Sequence, residues 1–363
     1  MAGELRLTDG LLQELVGAYG PCGFEDAVRE ICLRELEPLV DDMWVDDAGN
    51  VVGLLRGSPG GEANPPVRVM AHMDELSMIV KRVEPDGTLH LSPLGTMYPG
   101  NFGLGPIAIL GRRQALAGVL TLGSEHSTKE SQRIWETKPD QGDKALDWLH
   151  VYGFTGRSCD ELRDAGVGPG TRVCVHRSKR DLVRFGRYVG GYFLDDRAAI
   201  TVLLEAARQL HESGARGAAD VYLVFTTAEE VGANGGTYAS RTLPAGITLA
   251  VEVGPTEAEY GTSVHGGPIV AYSDAMTIYD KTIADRLMDI VEQQGLTAQP
   301  AVLGAFESDA SHAKALGTSP RAGLLCIPTL STHGYEVIAQ DAVAAAADVL
   351  VAFLRDRRST SGD

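Results

Sequence analysis

The chain has 363 residues, of which 44% are hydrophobic and 6% aromatic, and its formal net charge is −17 at pH 7. This composition is typical of a soluble globular protein, and the length exceeds what one hydrophobic core usually supports, so we expect two domains. The negative charge disfavours a nucleic-acid partner, because phosphates require a basic face, and it favours a cleft that attracts cations.

Targeting signals are not apparent in the sequence. No apolar run approaches the ~20 residues that are needed to span a bilayer. The first ten residues, MAGELRLTDG, have neither the basic stretch nor the apolar core of a secretory signal. The five cysteines show no CxxC spacing, which argues against a disulfide framework and for a reducing compartment. We therefore expect a cytoplasmic protein.

The first predicted elements are a helix, a hairpin and a buried strand. Residues 23–40 have helical spacing, and one face of that helix is apolar. Two short strands, DMWVD and VVGLL, are joined by turn residues 47–50. After a loop at residues 57–66, the continuous apolar run at 67–73 predicts a strand that is buried on both sides. The apolar helix face consists of Val28, Ile31, Cys32 and Leu36.

Beyond residue 80 the pattern changes to short alternating segments separated by glycine and polar residues, which predict a small β-domain. Within it, the polar stretch at 123–144 predicts an exposed or partner-contacting loop. Helices and parallel-type strands resume after about residue 187. Helices are predicted at 195–213, 281–294 and 339–357, and strands at 219–227, 247–253 and 321–328.

The simplest arrangement is an α/β fold whose mixed, mostly parallel sheet is flanked by helices and interrupted by an inserted, small β-barrel-like domain. Residues 1–78 and 187–363 would form the sheet domain, and residues 79–186 the insert. This arrangement explains how residues far apart in sequence, such as His72 and Asp195, become neighbours.

Acidic residues and histidines recur where buried apolar runs end. The carboxyl ends of parallel strands share one crevice, so we expect these side chains to converge there. They are His72 and Asp74, Asp195 and Asp196, Glu229 and Glu230, Glu252, and His333.

Five of these residues have the identities that a two-metal hydrolytic centre needs. Such a centre takes imidazole and carboxylate ligands and shares one carboxylate between its two ions. Asp195 is the predicted bridge. His72 and Glu252 are predicted to complete the first metal site. Glu230 and His333 are predicted to complete the second.

Other residues in these segments are predicted to assist. Glu229 is the predicted general base, because its side chain diverges from that of its neighbour and can face the attacking water. Asp74 is predicted to accept a hydrogen bond from His72 and to fix the tautomer of its imidazole. Asp196 is open to a plainer role as the cap of the following helix, and Arg197 is expected to support the site by pairing with a carboxylate.

These motifs carry a family resemblance. AHMDE, LDDR, AEEVG and a late histidine after IP, in this order, resemble the M42 metallo-aminopeptidases, the glutamyl and tetrahedral aminopeptidase group. The resemblance covers nearly the whole chain, including CGFEDAVRE near the N-terminus and ESDASHA around Asp309. In the family's motifs the first aspartate of the pair bridges, the first glutamate is the base and the second is a ligand. Here these are Asp195, Glu229 and Glu230.

The resemblance implies a zinc-exopeptidase-like domain with an inserted dimerisation domain and two zinc or cobalt ions. It also implies removal of N-terminal residues from peptides, and a homo-oligomer, either a dimer or a dodecamer. Several positions depart from the family's usual residues and leave open a related hydrolase that acts on an N-acyl or other non-peptide amide. The departures are Tyr192-Phe193 for Lys-Ala, Leu330-Ser331 for Arg-Tyr, Gly334-Tyr335 for Ser-Pro, and Glu252 for aspartate.

Two further classes of protein fit the sequence less well. A glucanase needs two carboxylates that face each other across a sugar, ~5–9.5 Å apart, without metal. Glu229 and Glu230 are adjacent in sequence and suit that geometry poorly. A non-catalytic assembly protein with a vestigial site is disfavoured because the ligand set is intact.

Overall fold

A mixed eight-stranded sheet organises the larger part of the computed structural model, which describes residues 4–59, 64–244 and 246–356. Numbered along the chain and given in spatial order, its strands are β1 (Asp42–Val45), β2 (Val51–Leu55), β12 (Val221–Thr226), β3 (Val67–His72), β13 (Ile247–Pro255), β16 (Arg321–Thr329), β14 (Ile269–Ser273) and β15 (Gln299–Val302). The four strands from β12 to β16 are parallel neighbours, whereas β2 and β14 run antiparallel to them. The predicted sheet is therefore confirmed.

Helices cover both faces of this sheet, which explains why its central strands are apolar throughout. Val67, Val69 and Ala71 of β3 belong to the core that includes five helices on one face. Met70, which points the opposite way, packs with Ala239 on the other face. The helices of the first face are α1 (Glu4–Gly17), α2 (Asp26–Leu36), α6 (Leu194–Ser213), α8 (Lys281–Gln293) and α10 (Ala342–Arg355). Those of the second are α7 (Asn234–Thr242) and α9 (Asp309–Ala315).

The helix predicted at 23–40 is shorter in the structure. α2 ends at Leu36, where a 3-10 turn at Glu37–Leu39 contains Pro38, which cannot donate the next helical hydrogen bond. Its four buried side chains are those of the predicted apolar face. Residue 357 of the last predicted helix and residues 60–63 of the predicted loop lie outside the described residues.

A small sheet made of β10 (Val183–Phe185), β11 (Tyr188–Tyr192) and β17 (Tyr335–Ala339) leads the chain into α6. β10 and β11 form an antiparallel pair. These strands, three to five residues long, were not predicted from the sequence. Their importance is positional, since α6 begins two residues after β11 ends.

The intervening segment forms a closed barrel, which confirms the predicted barrel-like insert. In spatial order its strands are β4 (Ser77–Val83), β5 (Leu89–Leu94), β8 (Tyr152–Phe154), β7 (Ala115–Thr121), β6 (Gly105–Leu110) and β9 (Arg172–Val175). Short helices accompany them: α3 (Pro99–Phe102), α4 (Gln132–Trp135) and α5 (Cys159–Ala165). α4 lies within the stretch that was predicted to be a loop, and its Ile134 is buried.

The chain divides into two units. One comprises Met1–Asp74, Leu182–Thr332 and Glu336–Asp363, and the other comprises Glu75–Asp181 with His333–Tyr335. The first contains the eight-stranded sheet, and the second contains the barrel. Among the described residues, no helix is both long and apolar enough to cross a membrane.

Candidate metal centre

Strand register brings the first two candidate ligands together. His72, the last residue of β3, pairs with Thr226 of β12. On its other side β3 pairs with β13, and the last pair joins Met70 to Ala250. Two residues further along each strand, His72 and Glu252 are level with each other. His72 Nε2 lies 3.7 Å from Glu252 Oε2.

Glu252 requires a correction, because it does not lie at a strand end. β13 continues for three residues beyond it and pairs with β16 along its full length. Asp195 also departs from the expectation, since it follows β11 of the small sheet and not a strand of the eight-stranded one. The ends of parallel strands are therefore not the only cause of the convergence. Strand pairing places Glu252 beside His72, and the start of α6 places Asp195 there.

The first turn of α6 supplies two aspartates. The residue before it, Phe193, has φ of 62°, and the Asp195–Asp196 peptide bond is cis. Asp195 donates its backbone N–H to Glu336 Oε2 at 2.9 Å. Asp196 Oδ2 accepts the backbone N–H of His72 at 3.1 Å, so this carboxylate contacts the site. Asp195 and Asp196 both have non-helical φ and ψ angles at this end of the helix.

These side chains form a buried cluster. His72, Asp195, Asp196 and Glu252 each offer a ligand atom within 4.8 Å of the others, and none is more than 7% exposed. His72 Nε2 lies 3.0 Å from Asp195 Oδ1. Asp195 and Glu230 also offer oxygens within 4.8 Å of each other. Asp195 is thus the carboxylate that lies near both His72 and Glu230.

Asp74 holds the segment that carries the two glutamates. Its Oδ1 accepts the backbone N–H of Glu229 at 2.9 Å, and its Oδ2 accepts that of Glu230 at 3.2 Å. Asp74 Oδ1 also lies 3.3 Å from His72 Nδ1. One buried carboxylate therefore orients both the imidazole and the Glu229–Glu230 backbone.

The electrostatics of the cluster are dominated by its buried carboxylates. Burial, with the nearby Asp196, raises the pKa of Glu252 well above its usual value. Burial likewise raises the pKa of Glu229. Burial opposes protonation of His72, but the carboxylates of Glu252 and Asp195 outweigh it and raise the pKa of the imidazole well above 6.5.

The donor set fits a divalent cation. One imidazole nitrogen and several carboxylate oxygens are the ligands that zinc and cobalt accept. Asp196 Oδ1 is buried and has no hydrogen-bond partner among the described residues. Buried carboxylates at such short separations are costly unless a cation compensates them.

The other predicted residues have less direct placements. His333 is grouped with the barrel unit, where its Nδ1 lies 2.6 Å from the carbonyl oxygen of Thr96, so its metal-binding role stays a prediction. Arg197 is fully buried and donates to the carbonyl oxygens of Leu15, Met73 and Asp74. It therefore supports the turn that follows His72 through backbone contacts.

Sequence reasoning did not give Asp196 a place in the cluster, and it did not single out Glu25. The DD pair was visible, but a helix cap is the common role of such a pair. Glu25 lies in the motif CGFEDAVRE, which carries part of the family resemblance but no local signal of a role for this residue. Its contact, the backbone N–H of Ala228, is 203 positions away in sequence.

Comparison with known proteins identifies the family of the chain. The profile of the M42 glutamyl aminopeptidase family matches residues 49–349. A lysyl aminopeptidase from Pyrococcus furiosus is 28% identical over 246 residues, which are 67% of this chain and 65% of that protein.

Solved structures share the fold. A TET aminopeptidase from a marine-sediment Thaumarchaeota archaeon superposes with a TM-score of 0.86 at 22% identity and covers 96% of both chains. The TET1 peptidase of Pyrococcus horikoshii, which can assemble into a tetrahedron or a large octahedral shell, gives a TM-score of 0.81 at 21% identity. That match covers 96% of this chain and 99% of the other.

Proposed function

Because the chain belongs to the M42 glutamyl aminopeptidase family, we propose that it is an aminopeptidase that removes N-terminal residues from peptides with two divalent metal ions, zinc or cobalt. The observation that carries the proposal is the buried cluster of His72, Asp195, Asp196 and Glu252. Its donors suit such ions, and a partly exposed glutamate pair, Glu229 and Glu230, follows the neighbouring strand.

The proposed ligands fall into two sets that share Asp195. His72 and Glu252 would hold the first ion, and Asp196 lies beside them in the same cluster. Glu230, near Asp195, is proposed to hold the second ion with His333. When bound, the ions would acidify a water molecule toward a pKa of ~7 and polarise the scissile carbonyl group.

Glu229 is proposed to move the proton. Its backbone N–H is fixed by Asp74 Oδ1, and its raised pKa, caused first by burial, suits a group that accepts a proton from water and returns it to the leaving amine. A general base must be held within reach of the proton that it takes, and the contact with Asp74 supplies that fixed position. Asp74 contributes by holding the Glu229 backbone and the His72 ring together.

Replacement of the base tests this assignment. We expect Glu229→Gln to retain its metal content, because Glu229 is not a proposed ligand, and to lose ~10²–10⁴-fold in kcat. Metal content is measured on the purified protein, and kcat with an aminoacyl anilide. A Glu229→Gln variant that keeps both metal and turnover would reject Glu229 as the base.

Substrate class is decided by blocking the amino group. An aminopeptidase should cleave an aminoacyl anilide and reject its N-acetylated form, whereas an amide hydrolase of the alternative kind should accept the acetylated compound. The assay with the acetylated compound is included because Tyr192, Leu330, Ser331 and Tyr335 differ from the family's usual residues. Cleavage of cellulose that resists a chelator would instead favour a glucanase.

Assembly is proposed as a homo-oligomer, either a dimer or a dodecamer, with the barrel insert as the dimerising part. Support comes from the shared fold with the TET1 peptidase, whose own assembly is a tetrahedron or an octahedral shell. A cytoplasmic location is proposed because the five cysteines are odd in number and show no CxxC spacing, which argues against a disulfide framework and for a reducing compartment. Light scattering coupled to gel filtration measures the oligomer mass, and a monomer would reject the assembly.

A further inference from the structure

We propose that Glu25, in the segment before α2, is a positioning residue that holds the Glu229 loop in its working conformation. The proposal rests on the function proposed above, because it concerns the placement of the predicted base. Glu25 is 2% exposed. Its Oε1 accepts the backbone N–H of Ala228 at 3.2 Å and that of Gly23 at 2.6 Å.

The loop of residues 227–230 is held by side chains at every backbone N–H. Asn50 Oδ1 accepts the N–H of Thr227 at 3.0 Å, and Glu25 accepts the next one. Asp74 accepts the following two. Four consecutive donors that a helix or a strand would satisfy with backbone carbonyls are satisfied here by three side chains from other elements.

Ala228 is the residue of this loop that most needs such a contact. Its φ is 50°, a left-handed conformation that alanine disfavours because of its Cβ atom. Without an acceptor for its N–H, the loop would gain by relaxing toward an ordinary backbone conformation. Such a relaxation would turn Glu229, the next residue, away from the cluster.

The same N-terminal segment also holds the turn that supplies Asn50. Arg29 lies one helical turn beyond Glu25, and a terminal guanidinium nitrogen of Arg29 is 3.8 Å from Glu25 Oε2. Arg29 Nε donates to the carbonyl oxygen of Gly49 at 2.7 Å. Glu25 and Asn50 are therefore parts of one connected support, and the loop depends on both.

The test compares two replacements of Glu25 with a matched surface control. Glu25→Met keeps the size of the side chain but removes the acceptor, so we expect kcat to fall ~10–100-fold while KM stays within ~3-fold, as for a misplaced catalytic group. Glu25→Gln keeps an oxygen that can accept both N–H bonds and should retain kcat within ~3-fold. Glu30→Met, on the exposed side of α2, should match the wild type.

Amide hydrogen exchange of the metal-free proteins gives a readout that is independent of catalysis. Peptides that contain residues 227–230 should exchange ~10-fold or more faster in Glu25→Met, and at the wild-type rate in Glu25→Gln and Glu30→Met. Unchanged kcat and unchanged exchange in Glu25→Met would overturn the proposal. So would equal losses in Glu25→Gln and Glu25→Met that follow their melting temperatures, because that pattern indicates a purely structural role.

Different results would reject the aminopeptidase function and the positioning role of Glu25. A wild-type protein that cleaves no aminoacyl substrate rejects the aminopeptidase, and the exchange result then decides the positioning role alone. A wild type that cleaves, with an inactive Glu229→Gln and a fully active Glu25→Met, rejects the positioning role and leaves the aminopeptidase standing.

Discussion

Arg197 shows how one buried residue ties the candidate site to the core. It is fully buried in α6, and its guanidinium group donates to the carbonyl oxygens of Leu15, Met73 and Asp74. Two of these carbonyls follow His72 directly, and the third belongs to α1. Each carbonyl would be left without this donor in a variant that lacks the guanidinium, and a buried, unsatisfied polar group is costly.

We expect Arg197→Met to lower the free energy of unfolding by about 2–4 kcal/mol, as measured by urea denaturation. The control is Arg208→Met in the same helix. Arg208 lies nearer the surface and pairs with Glu205 and Glu212, so its loss should cost less than about 1 kcal/mol. Equal losses in the two variants would show that the backbone contacts of Arg197 contribute no more than a surface ion pair.

At the scale of elements, α7 packs closely against the loop of residues 227–230 at Gly235. An ideal Cβ atom on Gly235 would lie 2.3 Å from Asn50 Oδ1 and 2.5 Å from the backbone nitrogen of Thr227. Both atoms belong to the support of the loop, which Asn50 holds by accepting that N–H. The start of α7 therefore approaches the loop more closely than any residue with a side chain allows.

Gly235→Ala should destabilise the protein by about 1–3 kcal/mol, because the added methyl group must displace the Thr227 backbone or the Asn50 side chain. Gly10→Ala, an exposed position in α1 with nothing within 4 Å of the added Cβ atom, should instead stabilise it by about 0.5–1 kcal/mol. Thermal unfolding measures both. A stabilised Gly235→Ala variant would contradict the close approach.

Elements whose pattern is local were predicted well: the buried face of α2, the hairpin of β1 and β2, and the apolar strand β3 all agree with the structure. The position of Glu252 inside β13 could not be predicted, because strand length depends on the partner β16. The contact between Glu25 and Ala228 joins distant segments, and no local pattern in either one signals it.

At the scale of the whole molecule, the candidate centre affects the stability of the fold as well as its function. Its carboxylates and His72 come from β3, β13 and α6, elements that together build the sheet and its main helical layer. Without cations, several buried carboxylates face one another and weaken that core. Bound metal would convert the same cluster into a source of stability, because it binds the folded state and not the unfolded one.

Metal removal should therefore lower the melting temperature. At a free zinc concentration of a thousand times Kd, bound metal contributes about 4 kcal/mol, and a chelator should remove that contribution. Scanning calorimetry at pH 8, before and after chelation and after reloading, measures the shift. Addition of zinc should restore the original transition.

Glu252→Gln should raise the melting temperature of the metal-free protein, which an ordinary destabilising substitution would not do. Removal of one charge from the metal-free cluster relieves repulsion, so the chelated variant should melt above the chelated wild type, while zinc should stabilise it less because a ligand is lost. Glu30→Gln, on the exposed side of α2, should leave both transitions unchanged. If zinc raised the melting temperature of Glu252→Gln as much as that of the wild type, Glu252 would not be a metal ligand. A higher melting temperature of the chelated variant would then reflect only the loss of carboxylate repulsion.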